Sequence, residues 1–404
     1  MMATDRIDVI DLARELIRAP SPNPPGDERH VAEVARGAIA TLGLPPAETF
    51  ARSYRRPNLV LSADFGTGGR HLLLCGHVDT KPLGDATWTV DPFDHPVVND
   101  RLYGLGSGDM KAAVAAMLVA VQRLLRNPPS RGRVSVVLTA DEEDGAYYGA
   151  QHIAHSVPLD ADGILIAEPG GIESDFDRLH LVSRGIARLR ISTVARQGHS
   201  SLSGRPGVRN AGVDIARAVT AVADDLELSI PPNHDALDGW EVTVNPGLYY
   251  RGGVGYGVLP GRMSVETEVR LLPGMHHADL EKSFRRLADR VAVETGADVR
   301  LEWDARDWLP ATQVPADHVL ARSAQEGCRD VLGTTPPLSV FPGTTDATWF
   351  DSVPGIPTLP ALGPGLLSRA HGADEWVSVA AVRRSVALYE SIAHRFCADE
   401  VTIS

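Results

Sequence analysis

Histidine 77 and Asp79 stand two residues apart, directly after the apolar run Leu72-Leu73-Leu74-Cys75 and Gly76. An imidazole and a carboxylate at that spacing suit a metal ligand and the group that fixes its ring and tautomer; the pair alone equally suits a helix cap or a solvated loop. Asp109 closes the text Gly104-Leu105-Gly106-Ser107-Gly108 and reads as either a helix N-cap or a ligand. Glu142 and Glu143 sit in the acidic run Asp141-Glu142-Glu143-Asp144, and Glu168 follows Gly163-Ile164-Leu165-Ile166-Ala167. His371 follows Gly363-Pro364-Gly365 in the loop His371-Gly372-Ala373-Asp374-Glu375-Trp376. Two histidines and three carboxylates are N/O donors that suit zinc, cobalt or manganese rather than copper(I) or calcium. With Asp109 bridging, His77, Glu143, Glu168 and His371 can hold two ions roughly 3.5 to 4 Å apart with a water between them. Glu142, beside a ligand, is then placed to take the water's proton.

The elements that must carry these residues follow from hydrophobic periodicity. A continuous apolar run bounded by glycine predicts a strand covered on both faces. Polar residues just beyond it lie at the carboxyl edge, where open α/β sheets bind ligands. Val134–Ala140 and Gly163–Ala167 repeat the pattern, so three strands deliver His77, Glu143 and Glu168 to one edge. Helices are predicted over 6–17, 28–42 and from Asp109 to about Arg126, with a further strand near 57–63. The GxGxG spacing before Asp109 is not the GxGxxG of a dinucleotide fold and no strand directly precedes it. Its glycines instead permit close backbone approach.

From Arg184 the pattern changes. A long alternating strand (186–196), a helix (208–225), strands near 240–250 and 261–271, a helix (277–294) and a strand (297–303) give a β-α-β-β-α-β order. That is the order of a ferredoxin-like α+β sandwich inserted into a larger α/β domain with a central mixed sheet. A helix over 315–332, a strand over 356–361 and a last helix to about Cys397 then resume the first domain. The expected organisation is a catalytic domain in two parts, 1–183 and 304–404, around an inserted domain, 184–303.

Composition bounds the function. A chain of 404 residues exceeds what one core serves, so two domains are the prior. A net charge of −13 argues against non-specific binding to nucleic acid or to an anionic membrane surface. No eighteen-residue apolar run and no signal-like start occur, which predicts a soluble, cytoplasmic protein. Three widely spaced cysteines, Cys75, Cys328 and Cys397, form no CxxC pair and predict no disulfide framework.

Taken in order, Ser21-Pro22-Asn23-Pro24-Pro25-Gly26, Gly76-His77-Val78-Asp79-Thr80, Gly106-Ser107-Gly108-Asp109-Met110-Lys111, Asp141-Glu142-Glu143, Glu168-Pro169, Gly198-His199-Ser200-Ser201 and His371-Gly372 make the chain similar to the M20 family of metallopeptidases and deacylases over nearly its whole length. The resemblance implies a zinc-peptidase-like catalytic domain. Asp109 would bridge two zinc ions, one completed by His77 and Glu168, the other by Glu143 and His371, with Glu142 as base and Asp79 orienting His77. It also implies a cis peptide after Asp109, a His199 that stabilises the oxyanion, often in the partner subunit's site, and a homodimer formed through the insert. Arg270 matches a substrate-carboxylate arginine, and Thr344, Thr345 and Asp346 match a loop lining the substrate pocket.

Two positions depart from the family. Gly252-Gly253-Val254-Gly255-Tyr256-Gly257-Val258-Leu259-Pro260 lacks the asparagine usual before Val-x-Pro, and Leu105 stands where arginine is common. The reading is a di-metal amidohydrolase acting on an N-acyl amino acid or related small amide. A dipeptidase or glutamate-type carboxypeptidase, and outside enzymes a metal-dependent small-molecule binder, are the alternatives.

Overall fold

The computed structural model describes residues 7–94, 96–231 and 240–398. The chain divides into two compact units, one running to Ser183 and resuming at Thr312, the other Arg184–Ala311. The fold is mixed α/β in the first unit and α+β in the second.

In the first unit a six-stranded mixed sheet has the order Glu48–Phe50, Asn58–Asp64, Arg133–Thr139, His71–His77, Gly163–Ile166, Thr358–Leu359. Its four strands from Arg133–Thr139 onward are parallel, and the two at the other edge are antiparallel. Every residue of His71–His77 is buried. The cause is visible in which layer each side chain joins: Leu72 and Leu74 pack with the helices Val9–Ile17, Ala112–Arg126 and Val379–Ala398. Leu73 and Cys75 pack with Ala150, Ile153 and Phe350 on the opposite face. Alternate residues of a strand point to opposite faces, so the middle of a strand covered on both sides is apolar at every position. A Leu→Ala change here costs about 2 to 5 kcal/mol.

The expected elements are all present, with ends shifted by a few residues. The helix predicted from residue 6 begins at Val9, its first predicted residue lying outside the described range, and Asp8 caps it by accepting from Ile10 N at 2.8 Å. The text before the helix Ala112–Arg126 is a distorted turn, Ser107–Lys111, whose Asp109 and Met110 have non-helical dihedrals, and the Asp109–Met110 peptide is cis. Gly106 has a φ of +74°, and a Cβ there would stand 2.4 Å from Thr80 Cγ2. Only glycine lets this turn approach the end of the His77 strand.

The second unit is a four-stranded antiparallel sheet ordered Thr243–Gly252, Arg262–Leu271, Gly185–Val194, Asp298–Leu309, with the helices Ala211–Asp225 and His277–Thr295 packed on it. The β-α-β-β-α-β order holds for the main sheet. Its boundary does not fall at 303: the last strand continues to Leu309, where it pairs with Ile186, so the unit ends at Ala311. The register shifts between Trp303 and Trp308, and that interruption is why the pattern looked finished early.

Among the described residues no helix is long and apolar enough to cross a membrane. Cys75, Cys328 and Cys397 are all free and buried.

Candidate active site

The parallel strands place their carboxyl ends side by side. His77 is the last residue of its strand, Glu143 lies four residues beyond Thr139, and Glu168 lies two beyond Ile166. The turn 107–111 brings Asp109 between them. His77 Nε2 is 3.0 Å from Asp109 Oδ1 and 3.5 Å from Glu168 Oε1. His371 Nε2 is 3.2 Å from Asp109 Oδ2 and 3.2 Å from Glu143 Oε2. The structure therefore gathers two ligand sets, His77–Asp109–Glu168 and Asp109–Glu143–His371, which share one carboxylate. Donors at tetrahedral corners about 2.0 to 2.2 Å from zinc lie a little over 3 Å from each other, so these separations fit two small divalent ions.

His77 is oriented from behind. Its Nδ1 lies 3.0 Å from the carbonyl oxygen of Asp79 and 3.5 Å from that residue's carboxylate, which leaves Nε2 for the ligand side. The expected link from Asp79 to His77 thus runs first through the backbone carbonyl. The Asp79 carboxylate does more than orient the ring: it accepts from the backbone N–H groups of Glu142 and Glu143 at 3.2 Å each, and from Asn23 Nδ2 at 2.9 Å.

Behind this lies a buried network that motif reading did not assign. Asn23 Nδ2 also donates to Asp141 Oδ1, at 3.0 Å. Arg56 donates to Asp141 at 2.7 Å and to Glu28 at 2.6 Å. Asp141 has a φ of +66°, an uncommon conformation for a non-glycine residue. The network holds that turn, and the turn aims Glu142 and Glu143.

The electrostatics are those of a crowded acidic site. Burial opposes charge on His77, but hydrogen bonds to Asp109 and Asp79 and the charge of Glu168 outweigh it and hold its pKa well above the usual histidine range. Hydrogen bonds that the His371 ring donates to Asp109 and Glu143 push its pKa up to about 10. Burial pushes the Glu168 carboxyl well up, with the Asp109 charge adding to it. Burial likewise raises Glu142, and the charges of Asp346, Glu143 and Asp109 add to the shift while His77 opposes it. Carboxylates this close cannot all ionise without cations, and protons or divalent ions can fill that need. Beneath the turn, Lys111 Nζ is buried and donates to the Ala19 carbonyl at 2.8 Å; burial pulls its pKa down to about 7.

Lys81 is a further residue missed from sequence. Its backbone N–H donates to Glu143 Oε1 at 3.1 Å, and its ammonium lies 3.2 Å from Glu143 Oε2 and donates to the Glu143 carbonyl. Nothing in a lone lysine after Thr80 signals this contact. The strand's exit path makes it.

The expected substrate residues are placed differently from one another. Thr345 and Asp346 are buried and Thr344 is half-buried. Asp346 Oδ2 accepts from Thr139 Oγ1 at 2.8 Å, so its carboxylate is anchored to the sheet end, and burial pushes it up to about 7. Thr345 Oγ1 accepts from Ala347 N at 3.3 Å at the start of the helix Ala347–Ser352. In the second unit Arg270 Nε is bonded to Glu268 at 2.7 Å. His199 is exposed on a short strand pairing with Val258. Its Nδ1 accepts from Ser201 N at 3.2 Å, which leaves Nε2 as the donor of a neutral ring. Gly257, where the family's asparagine is missing, has a φ of +81° and accepts from Ser200 N through its carbonyl at 2.9 Å. Leu105, in the arginine's place, is buried.

Residues 73–395 match the profile of peptidase family M20/M25/M40. The chain belongs to that family. It is similar to a succinyl-diaminopimelate desuccinylase of Rhodospirillum centenum, 30% identical over 97% of this chain and 98% of the relative. It is also similar to an acetylornithine deacetylase of Proteus mirabilis, 29% identical over 97% of each. A Bacillus subtilis structure described as a dinuclear metal-binding peptidase of the M20 family shares the fold, with a TM-score of 0.70 and 15% identity over 96% of each chain. The family and these relatives make the protein a hydrolase acting on amide bonds, and the clustered residues make it a candidate metal binder.

Proposed function

We propose that this protein is a two-metal hydrolase that removes an acyl group from the nitrogen of an amino acid. The observation that carries the reading is the Asp109 carboxylate, with Oδ1 at 3.0 Å from His77 Nε2 and Oδ2 at 3.2 Å from His371 Nε2. The N-acyl substrate class is supported by relatives named for removing succinyl and acetyl groups from amino acids. Nitrogen and carboxylate donors without thiolate favour zinc, with cobalt or manganese as substitutes.

His77, Asp109 and Glu168 would hold one ion, and Asp109, Glu143 and His371 the other. Ions held there would supply Lewis acidity toward the scissile carbonyl and lower the pKa of water. Glu142 takes the proton of the attacking water and passes it to the leaving nitrogen. Its raised pKa suits a group that must hold that proton between the two transfers. Asp79 keeps Nδ1 of His77 engaged, so that Nε2 would be the atom offered to an ion. His199 Nε2 serves as a donor to the developing oxyanion. Arg270 receives a substrate carboxylate by exchanging it for Glu268, and Thr344 faces substrate while Thr345 and Asp346 shape its loop. A homodimer formed through the insert and a cytoplasmic location complete the reading; light scattering and cell fractionation test them.

The deciding experiment is amine release from N-succinyl, N-acetyl, N-formyl and N-carbamoyl amino acids and from dipeptides. The protein is reloaded with zinc, cobalt or manganese, beside a chelated control. Metal-dependent release from one acyl class is expected. Turnover of dipeptides alone would replace the reading with a dipeptidase, and no release with two ions bound would point to a binding protein.

A further inference from the structure

Glu375 has no role in the chemistry described above, yet its buried carboxylate meets the turn that carries Asp109. Its Oε1 accepts from Gly108 N at 2.8 Å and from Asp109 N at 3.1 Å, and its Oε2 accepts from Gly106 N at 3.1 Å. Its backbone carbonyl accepts from Gly104 N at 3.0 Å. One residue therefore takes four N–H groups from the six residues 104–109. Immediately after it, Trp376–Ser378 pairs antiparallel with Arg101–Tyr103, Trp376 opposite Tyr103. Four residues before it stands His371, whose φ of +61° marks a sharply bent segment.

We propose that Glu375 is the positioning residue for the shared carboxylate: it locks the backbone of Gly106–Asp109 so that Asp109 presents one oxygen to each histidine, and it ties the His371 segment to that same turn. The proposal rests on the reading that Asp109 bridges two divalent ions. A hydrogen bond is directional, so three backbone N–H groups donated to the two oxygens of one buried side chain hold the turn against rotation. Rotation matters because the two Asp109 oxygens serve different ions; a swing that favours one histidine spoils the other. The segment contains three glycines, at 104, 106 and 108, and supplies little rigidity of its own. The fold supplies it from outside through a residue on the same segment as His371.

Glutamine is the sharp substitution because it keeps the shape. Its amide offers one acceptor oxygen, and its NH2 must then face a backbone N–H, donor against donor. The experiment uses the full chain, chelated and reloaded with Co2+, whose visible spectrum reports ligand geometry. Wild type, Glu375→Gln, Glu375→Asp and Asp214→Asn are compared, the last removing a buried carboxylate paired with Arg209 in the insert. For each, Co2+ affinity, the spectrum and the rise in Tm on ion binding are measured.

Glu375→Gln is expected to bind Co2+ about 10- to 100-fold more weakly at both positions, the range seen when outer partners of metal ligands are lost. Its spectrum should change, the Tm rise should shrink, and on a turned-over substrate kcat should fall with little change in KM. Asp214→Asn should keep wild-type affinity and spectrum even where its Tm falls. Glu375→Asp retains two carboxyl oxygens and should recover part of the affinity; it carries the test alone if the glutamine variant does not fold. A lower Tm for Glu375→Gln in the chelated protein, with Co2+ affinity and spectrum as in wild type, would overturn the proposal and leave Glu375 a purely structural residue. Fewer than two Co2+ bound by the wild type would instead overturn the two-metal reading beneath it.

Discussion

The two candidate ligand sets share Asp109, contain the same residue types and differ in the elements that carry them. His77 and Glu168 extend directly from neighbouring parallel strands and are almost wholly buried, His77 to 1%. His371 comes from a loop, and its side chain is 48% exposed. His77 is backed by the Asp79 carbonyl and carboxylate, and through Asp79 by Asn23. Glu143 is instead met by a lysine, which competes with any cation for its oxygen. One half of the site is thus an extension of the core; in the other, a buried Glu143 held by the Asp79 carboxylate meets a loop histidine and a lysine. The two sets contain the same residue types, so what distinguishes them is the elements that carry the side chains.

The largest effect should come from removing what the halves share. Asp109→Asn should abolish binding of both ions and turnover together, read by metal analysis of the dialysed protein; retention of one ion would mean the halves are independent. Next, Glu142→Gln should keep both ions and lower kcat by roughly 10² to 10⁴, the usual worth of a positioned acid–base group. Near-normal turnover with both ions bound would remove Glu142 from the mechanism.

Stepwise chelation separates the halves. As EDTA is raised, one ion should leave well before the other, and His371→Ala should abolish the early phase while His77→Ala also removes the tight one. Two ions leaving in a single phase, in wild type, would erase the distinction between closed and open halves.

Protons supply a subtler probe. Folding raises the pKa of His371 to about 10, from an unfolded value of about 6.5. Its contribution to the stability of ion-free protein is therefore complete below pH 6.5 and is lost as pH rises through about 10. The Tm of chelated protein should fall over that window, and that of ion-loaded protein should not. Equally, each ion bound at pH 7 must displace a proton, which calorimetry in buffers of different ionisation heat would count. The smallest effect belongs to Lys81→Met, which should tighten the open half alone by roughly two- to fivefold, the scale of a partly exposed ion pair.

Much of this protein is legible along the chain. The run Leu72–Cys75 declares itself because both its faces are covered by apolar layers, which gives four apolar residues in a row in place of alternation. Gly106 is readable as a residue the backbone must approach, which the contact with Thr80 explains. The candidate ligands His77, Asp109, Glu143 and Glu168 are legible because each sits at a strand end or turn that its own neighbourhood defines. Periodicity alone ends the last strand of the insert at 303, because the pairing is interrupted between Trp303 and Trp308 and local periodicity does not count through a register shift.

Other features had no local signature. Glu375 sits in a loop with no periodicity, and its partners lie more than 260 residues away. Lys81 and Arg56 look like ordinary surface cations until the fold sets them against Glu143 and Asp141. Sequence by itself determined the donor chemistry, the order of the elements and the family, because those depend on residue type and short-range spacing. Only the tertiary structure decided which oxygen of Asp109 faces which histidine, which half of the site is open, and what holds the turn between them. Those are relations among distant segments, set by how the sheet edge and its loops pack together.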